Sequence, residues 1–174
     1  MEQSLAFNYE FNYLVAELSL ALAGFSGVIV GLGRSGAGSI DLHDRFGLLH
    51  ILLCSGFALI FSLLPVALSY VGLSVGSAHS IASATLACTM IFACAFWMST
   101  ARTTKPRHRV AFWSLASLGL LIGFAMLISV AGFANAQNFF PIALLWHLLV
   151  GFVQFFYFLI SLSSAKQVDS QAHS

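Results

Sequence analysis

Two long stretches of the chain carry no charged residue at all. Positions 48 to 101 give 54 residues without Asp, Glu, Lys or Arg, and positions 110 to 165 give 56 more. A bilayer crossing takes about 20 helical residues, so each stretch is too long for one span and fits two with a turn between them. The turns are visible as "VGLSVGSAHS" (71–80) and "AGFANAQNFFP" (131–141), where Gly, Ser, Asn and Gln interrupt the apolar run. One further apolar run covers 14–32. Backbone polar groups inside hydrocarbon must be satisfied within their own segment, and the period-2 alternation of a membrane barrel is missing, so the runs are helices. The pattern predicts an all-α membrane protein. Five transmembrane helices, over 14–32, 48–70, 80–99, 111–132 and 139–161, form one compact bundle, with residues 1–174 a single integral membrane domain. Pro65 predicts a kink in the second helix.

Charge then gives an orientation. With five spans, segments 33–47, 100–110 and 162–174 share one side. They hold Arg34, Arg45, Arg102, Lys105, Arg107, Arg109 and Lys166, which are all seven basic side chains of the protein. The opposite side has none. By the positive-inside rule the N-terminus lies outside and the C-terminus in the cytoplasm. Trp97 and Trp113 flank the basic segment at the inner interface, and Tyr9, Tyr13 and Tyr70 lie near the outer one. No basic residue precedes the first apolar run, unlike a secretory signal, so that run is expected to be retained.

Composition narrows the function classes. The chain is 59% hydrophobic and 7% charged, where a soluble domain carries about 25% charged residues, so it cannot build a water-facing surface. A net charge of +1 gives no reason to expect a nucleic-acid partner. The lipid bilayer is the expected partner, and the short loops suit a bacterial cytoplasmic membrane. Cys54, Cys88 and Cys94 lie in apolar runs without a C-x-x-C spacing, so neither a disulfide framework nor a zinc site is expected.

The stretch "GFSGVIVGLGRSGAG" (24–38) contains G-x-G-x-x-G at Gly31, Gly33 and Gly36. A dinucleotide fold needs a strand before such glycines, a helix after them and an acidic residue about 20 positions on. Here the preceding run has helical length, the following segment "SIDLHDRFG" is polar, and positions 51 and 53 are Ile and Leu. No nucleotide is expected. A four-residue spacing accounts for the glycines better. Ser19, Ala23, Gly27 and Gly31 form a ridge of small side chains along one side of a helix, which lets helix backbones approach closely in lipid. Gly119 and Gly123 repeat the spacing in the fourth helix. The partner of the ridge is another helix of the chain or a second copy. Gly33, Gly36 and Gly38 are expected beyond the helix end.

Among polar residues, Glu17 is the single carboxylate within a span, about three residues inside the outer boundary. It is either an interfacial group or a buried ligand for a proton or cation. His147 lies near the bilayer middle, and Gln154 follows seven residues later on a stripe that includes Gly151. Hydrogen bonds across helices, each contributing about 0.6 kcal/mol, are one role for the stripe, and a path for a proton or small solute is the other. His50, His79 and His147 fall at three depths, which argues against a bis-histidine haem. "DLHDR" (41–45) does not define a metal site, and Asp41 is more simply a helix N-cap. Arg102, Lys105, Arg107 and Arg109 set topology and can contact anionic lipid.

No metal, cofactor or enzymatic activity is expected. The sequence points to a multi-pass, non-enzymatic membrane component that packs with itself, as a homo-oligomer, or with other membrane subunits. The alternative is a small channel or transporter for an ion or small solute that uses Glu17 and the His147/Gln154 stripe.

Overall fold

Leu, Ile, Val, Phe and Ala dominate the charge-free runs, and a backbone in such surroundings must close its own hydrogen bonds, so each run winds into helix. The computed structural model describes residues 2–34, 42–104, 109–133 and 139–172. The elements are α1 (Glu2–Arg34), α2 (Leu42–Tyr70), α3 (Val75–Thr104), α4 (Arg109–Ile128) with a π-helical turn at Ser129–Phe133, and α5 (Phe139–Ala172). All five are long and apolar enough to cross a membrane, with spans Tyr9–Ile29, Gly47–Tyr70, Val75–Ala101, Val110–Gly132 and Phe139–Ile160.

Several helix boundaries differ from the sequence pattern, with α2 starting at Leu42, α3 ending at Thr104 and α5 running on to Ala172. The first helix begins at Glu2, so its apolar span opens at Tyr9, five residues earlier than expected. The aromatic residues of "FNYEFNY" carry the helix through positions that polarity alone marks as loop. At the other end α1 runs to Arg34, so Gly33 lies in its last turn, while Gly36 and Gly38 fall outside the described residues. The α2–α3 connection shrinks to four residues, and His79, expected in that turn, belongs to α3 and is buried. Pro65 is buried inside α2, which continues through it as one helix.

The short turn explains itself residue by residue. Gly72 takes φ +95°, the left-handed conformation that ends many helices. The Gly72 N–H donates to the Ser69 carbonyl at 3.0 Å and the Leu73 N–H to the Leu68 carbonyl at 3.3 Å, which together satisfy the open end of α2. Ser74 then caps α3. Its Oγ accepts from the Ser77 N–H at 3.2 Å and its carbonyl from the Ala78 N–H at 2.9 Å. A second left-handed glycine, Gly132 at φ +94°, closes the π-helical turn after α4.

Contacts order the helices. α2 and α5 form a central pair, α1 packs on both, and the α3–α4 hairpin packs on the other side, α3 against α2 and α4 against α5. His79 of α3 meets Phe140 of α5 near the starts of both helices, whereas His50 near the start of α2 meets Trp97 near the end of α3. Successive helices therefore alternate in direction. Arg34, Arg45, Arg102, Arg109 and Lys166 consequently belong to helix segments at one end of the bundle. The outward side is apolar, with Phe92 74%, Leu121 67% and Phe25 64% exposed. A surface of this kind suits lipid and not water.

Gly72→Ala is expected to destabilise the protein by about 1–2 kcal/mol, because it forces a Cβ into the left-handed region. Gly76→Ala, in a helical position with nothing within 4 Å of an added Cβ, is expected to stabilise by about 0.5–1 kcal/mol. Thermal unfolding of both variants in detergent, read by circular dichroism, checks the opposite signs.

Candidate functional site, an intramembrane cavity

A helix places every third or fourth residue on one face. On α2 that spacing aligns His50, Cys54 and Phe57. On α3 it aligns Cys94 with Trp97, and on α4 Phe112 with Leu115 and Ala116. On α5 it aligns Trp146 and His147 with Val150 and Gln154. All of these line one cavity of about 40 Å³ between α2, α3, α4 and α5. A water needs roughly 10–15 Å³ on this measure, so the space holds about three or four water-sized groups. From His147 to Gln154 the cavity follows two turns of α5, about 10 Å.

The two ends differ. Near the basic end the lining residues His50, Trp97 and Gln154 are half-buried, whereas Trp146 and His147 at mid-bundle are buried. Beyond them the core closes with Phe61, Leu86, Met126, Phe140 and Leu144. The lining contains no Asp, Glu, Lys or Arg.

Rings hold the polar groups in place. Trp97 stacks on His50 with centroids 4.5 Å apart and planes at 22°. His147 meets Phe57 edge-on at 6.2 Å and Trp146 at 5.1 Å. The His147 Nδ1 lies 2.9 Å from the Ala143 carbonyl. A carbonyl oxygen accepts only, so Nδ1 carries the proton and Nε2 presents a lone pair. That Nε2 is buried and has no partner, and neither has the buried indole N–H of Trp146. An acceptor and a donor thus stand unpaired on adjacent residues of a cavity wall. Buried polar atoms are seldom left so, because each costs about 1–3 kcal/mol.

Gly119 makes room for the tryptophan. A Cβ there would meet the Trp146 ring, and the Cys94 sulfur at 2.7 Å. Gly123 lets α4 approach α3, with Ile91 2.9 Å and the Ala87 carbonyl 3.4 Å from where a Cβ would stand. Gly151 does the same for α5, facing Leu22 of α1 at 2.8 Å and Cys54 of α2 at 3.7 Å.

The ridge on α1 is used only in part. Ser19 is buried and Ala23 half-buried, but Gly27 is exposed with nothing within 4 Å of an added Cβ. Gly31 belongs to the last turns of α1. Glu17 lies on the outward side of the bundle, exposed and away from the cavity, so it shares no site with His147. The opening of the α1 span at Tyr9 also sets Glu17 deeper than the sequence pattern placed it. Arg102 lies in the last turn of α3 and Arg109 begins α4, while Lys105 and Arg107 lie outside the described residues, as does Asp41.

His50 and His147, separated in depth along the sequence, are joined by the cavity, which the sequence pattern did not reveal. His79 belongs elsewhere, edge-on to Phe140 at 5.8 Å. The hydrogen bond that His147 was expected to make across helices takes a local route instead, as do those of three buried serines. Ser19, Ser26, Ser55 and His147 each donate to a carbonyl four residues earlier on their own helix, at 2.7 to 2.9 Å. The i−4 carbonyl is always within reach of a short side chain, so it wins over a distant helix. Among the described residues no three His, Cys, Asp or Glu side chains group as metal ligands.

Comparison with known proteins finds no family that matches the chain, and no curated protein or solved structure similar to it.

Gly119→Ala is expected to displace the Trp146 indole and to cost about 1–3 kcal/mol, the usual range for an extra methyl in a packed interior. Gly27→Ala, with open space around it, is expected to leave thermal stability in detergent unchanged or slightly raised. Equal losses in the two variants would contradict the packing described.

Proposed function

We propose that this multi-pass membrane protein admits a small neutral polar solute to the cavity beside His147 and acts as a small transporter or channel, without enzymatic chemistry. The observation that carries the proposal is that His147 and Trp146, whose buried Nε2 and indole N–H are unpaired, both line one cavity. A solute with one acceptor and one donor, such as an amide, would satisfy both. An ion is a poorer fit, since the wall lacks the charged side chains that usually mark ion pathways. His147 binds, Trp146 and Gln154 orient, and His50 on Trp97 flanks the half-buried end. Glu17 takes no part.

The orientation belongs to the same proposal. With every basic residue expected on one side, that side is the cytoplasmic one, the N-terminus is outside, and the half-buried cavity end faces the cytoplasm. A bacterial cytoplasmic membrane is the setting. Arg102, Lys105, Arg107 and Arg109 contact anionic lipid there, each contributing about 1 kcal/mol.

The sequence-based view of a component that works by packing has its own support in the open face of α1, which concerns a partner and not the cavity.

Aqueous access tests the cavity reading. In a background with Cys54, Cys88 and Cys94 replaced by alanine, Gln154→Cys is expected to react with a small water-soluble thiol reagent at least ~10 times faster than Thr85→Cys, whose position is exposed on the outward side of α3. In proteoliposomes, urea flux measured by stopped-flow light scattering should exceed that of protein-free vesicles and fall in His147→Phe. Protection of both cysteines, or urea flux indifferent to His147, would rule the proposal out.

A further inference from the structure

We propose that the outward face of α1 docks one membrane-spanning helix of another protein, and that this helix carries a lysine or arginine level with Glu17. The depth of Glu17 follows from the packing. α1 and α5 run in the same direction, and Leu22 of α1 touches the Cβ position of Gly151 on α5. Glu17 is five residues before Leu22, so it is level with Trp146, five residues before Gly151. The α5 span begins at Phe139, which sets Glu17 about 10 Å inside the outer end of the bundle. It is exposed there, on a side where the neighbouring surface is Leu14, Leu18 and Phe25.

A carboxylate at that depth is costly in lipid and is expected to have a partner. Among the described residues this chain supplies none. Arg34 is 17 residues further along the same helix, about 25 Å away. Arg45, Arg102, Arg109 and Lys166 belong to helix segments at the same far end. With no basic residue of the described helices near its level, we infer that the cation comes from another chain.

The backbone beside Glu17 is open to such a helix. Ala21 and Gly24 follow Glu17 at positions i+4 and i+7 on the same face and are exposed. Gly24 and the neighbouring Gly27 have nothing within 4 Å of an added Cβ, whereas Gly119, Gly123 and Gly151 are each filled by a neighbouring helix. Small side chains with that freedom permit a close crossing, in which a lysine or arginine stem can reach the carboxylate. A second copy is the wrong occupant. Symmetric pairing through this face brings Glu17 against Glu17 and offers no cation. The inference is independent of the cavity and stands or falls without it.

The test uses the full chain in phosphatidylcholine vesicles with a donor fluorophore, and synthetic leucine-rich transmembrane peptides with an acceptor. One peptide has a single lysine seven residues from its outer end and the other has leucine there. Energy transfer is expected to show the lysine peptide binding at least ~10 times more tightly than the leucine peptide. Glu17→Gln should abolish that preference, Glu17→Asp should retain it, and Gly24→Leu should weaken it. Equal binding of the two peptides to the wild type, or a lysine preference that survives Glu17→Gln, overturns the proposal. So does a homodimer, counted by single-molecule photobleaching, that Glu17→Gln dissolves. Unchanged thermal unfolding of Glu17→Gln confirms that the variant is folded.

Discussion

Lipid tails are as apolar as leucine, so helices in a bilayer are not pushed together by water. They hold by close contact, and close contact depends on small residues where backbones cross. In this bundle those crossings are at Gly119, Gly123 and Gly151, each with a side chain of another helix standing where a methyl would be. Gly123 seals α4 to α3, and Gly151 sets α5 against α1 and α2. Gly119 differs, because what fills its space is an indole ring. The tight crossings thus decide where Trp146 goes, and the position of Trp146 decides that its N–H has no protein partner. The cavity is the remainder that these crossings leave between α2, α3, α4 and α5.

That remainder has a definite chemistry. His147 spends its one proton on the Ala143 carbonyl, a choice its own helix offers at no cost in distance. The lone pair on Nε2 is the consequence. Had the ring bonded across to α2 or α3, the cavity wall would be saturated and the histidine would be structural. Local bonding by the serines follows the same logic and produces the reverse outcome, since a serine that donates to its i−4 carbonyl has nothing left to donate. Within one set of helices, the same local preference therefore occupies the hydroxyls of Ser19, Ser26 and Ser55 and leaves the His147 Nε2 without a partner.

Much of the architecture was legible because the bilayer imposes it. Charge-free runs of fixed length and breaks rich in Gly and Ser are enough to count five helices, and the hairpin between α2 and α3 could be placed within a few residues. Its true length was hidden because a left-handed Gly72 followed directly by a Ser74 cap turns the chain in four residues. His79 was misplaced for the same reason. The small-residue spacing was visible on both α1 and α4, but spacing does not say whether a neighbour is present. Gly123 is filled and Gly27 is open, and only the packing distinguishes them. The cavity had a faint signal, in that His50, Cys54 and Phe57 share a face of α2 as His147 and Gln154 share one of α5. Nothing in the pattern along either helix shows that the two faces meet.

Among the described residues Asn12, His79 and Ser129 also hold buried polar atoms without a partner, but the unpaired groups of the cavity and of the α1 face differ in a way that has a physical meaning. Trp146 and His147 are inside the bundle, where a small guest can reach them only by entering the cavity. Glu17 is outside, where a whole helix can reach it without disturbing the core. A charged side chain on a lone helix costs up to about 2.5–3.5 kcal/mol at the bilayer centre by insertion measurements, which overlaps the roughly 1–3 kcal/mol of an unpaired neutral group. The two kinds differ less in cost than in what can relieve them. On the proposed readings, occupancy of the cavity comes and goes with a solute, whereas the face of α1 keeps a permanent neighbour.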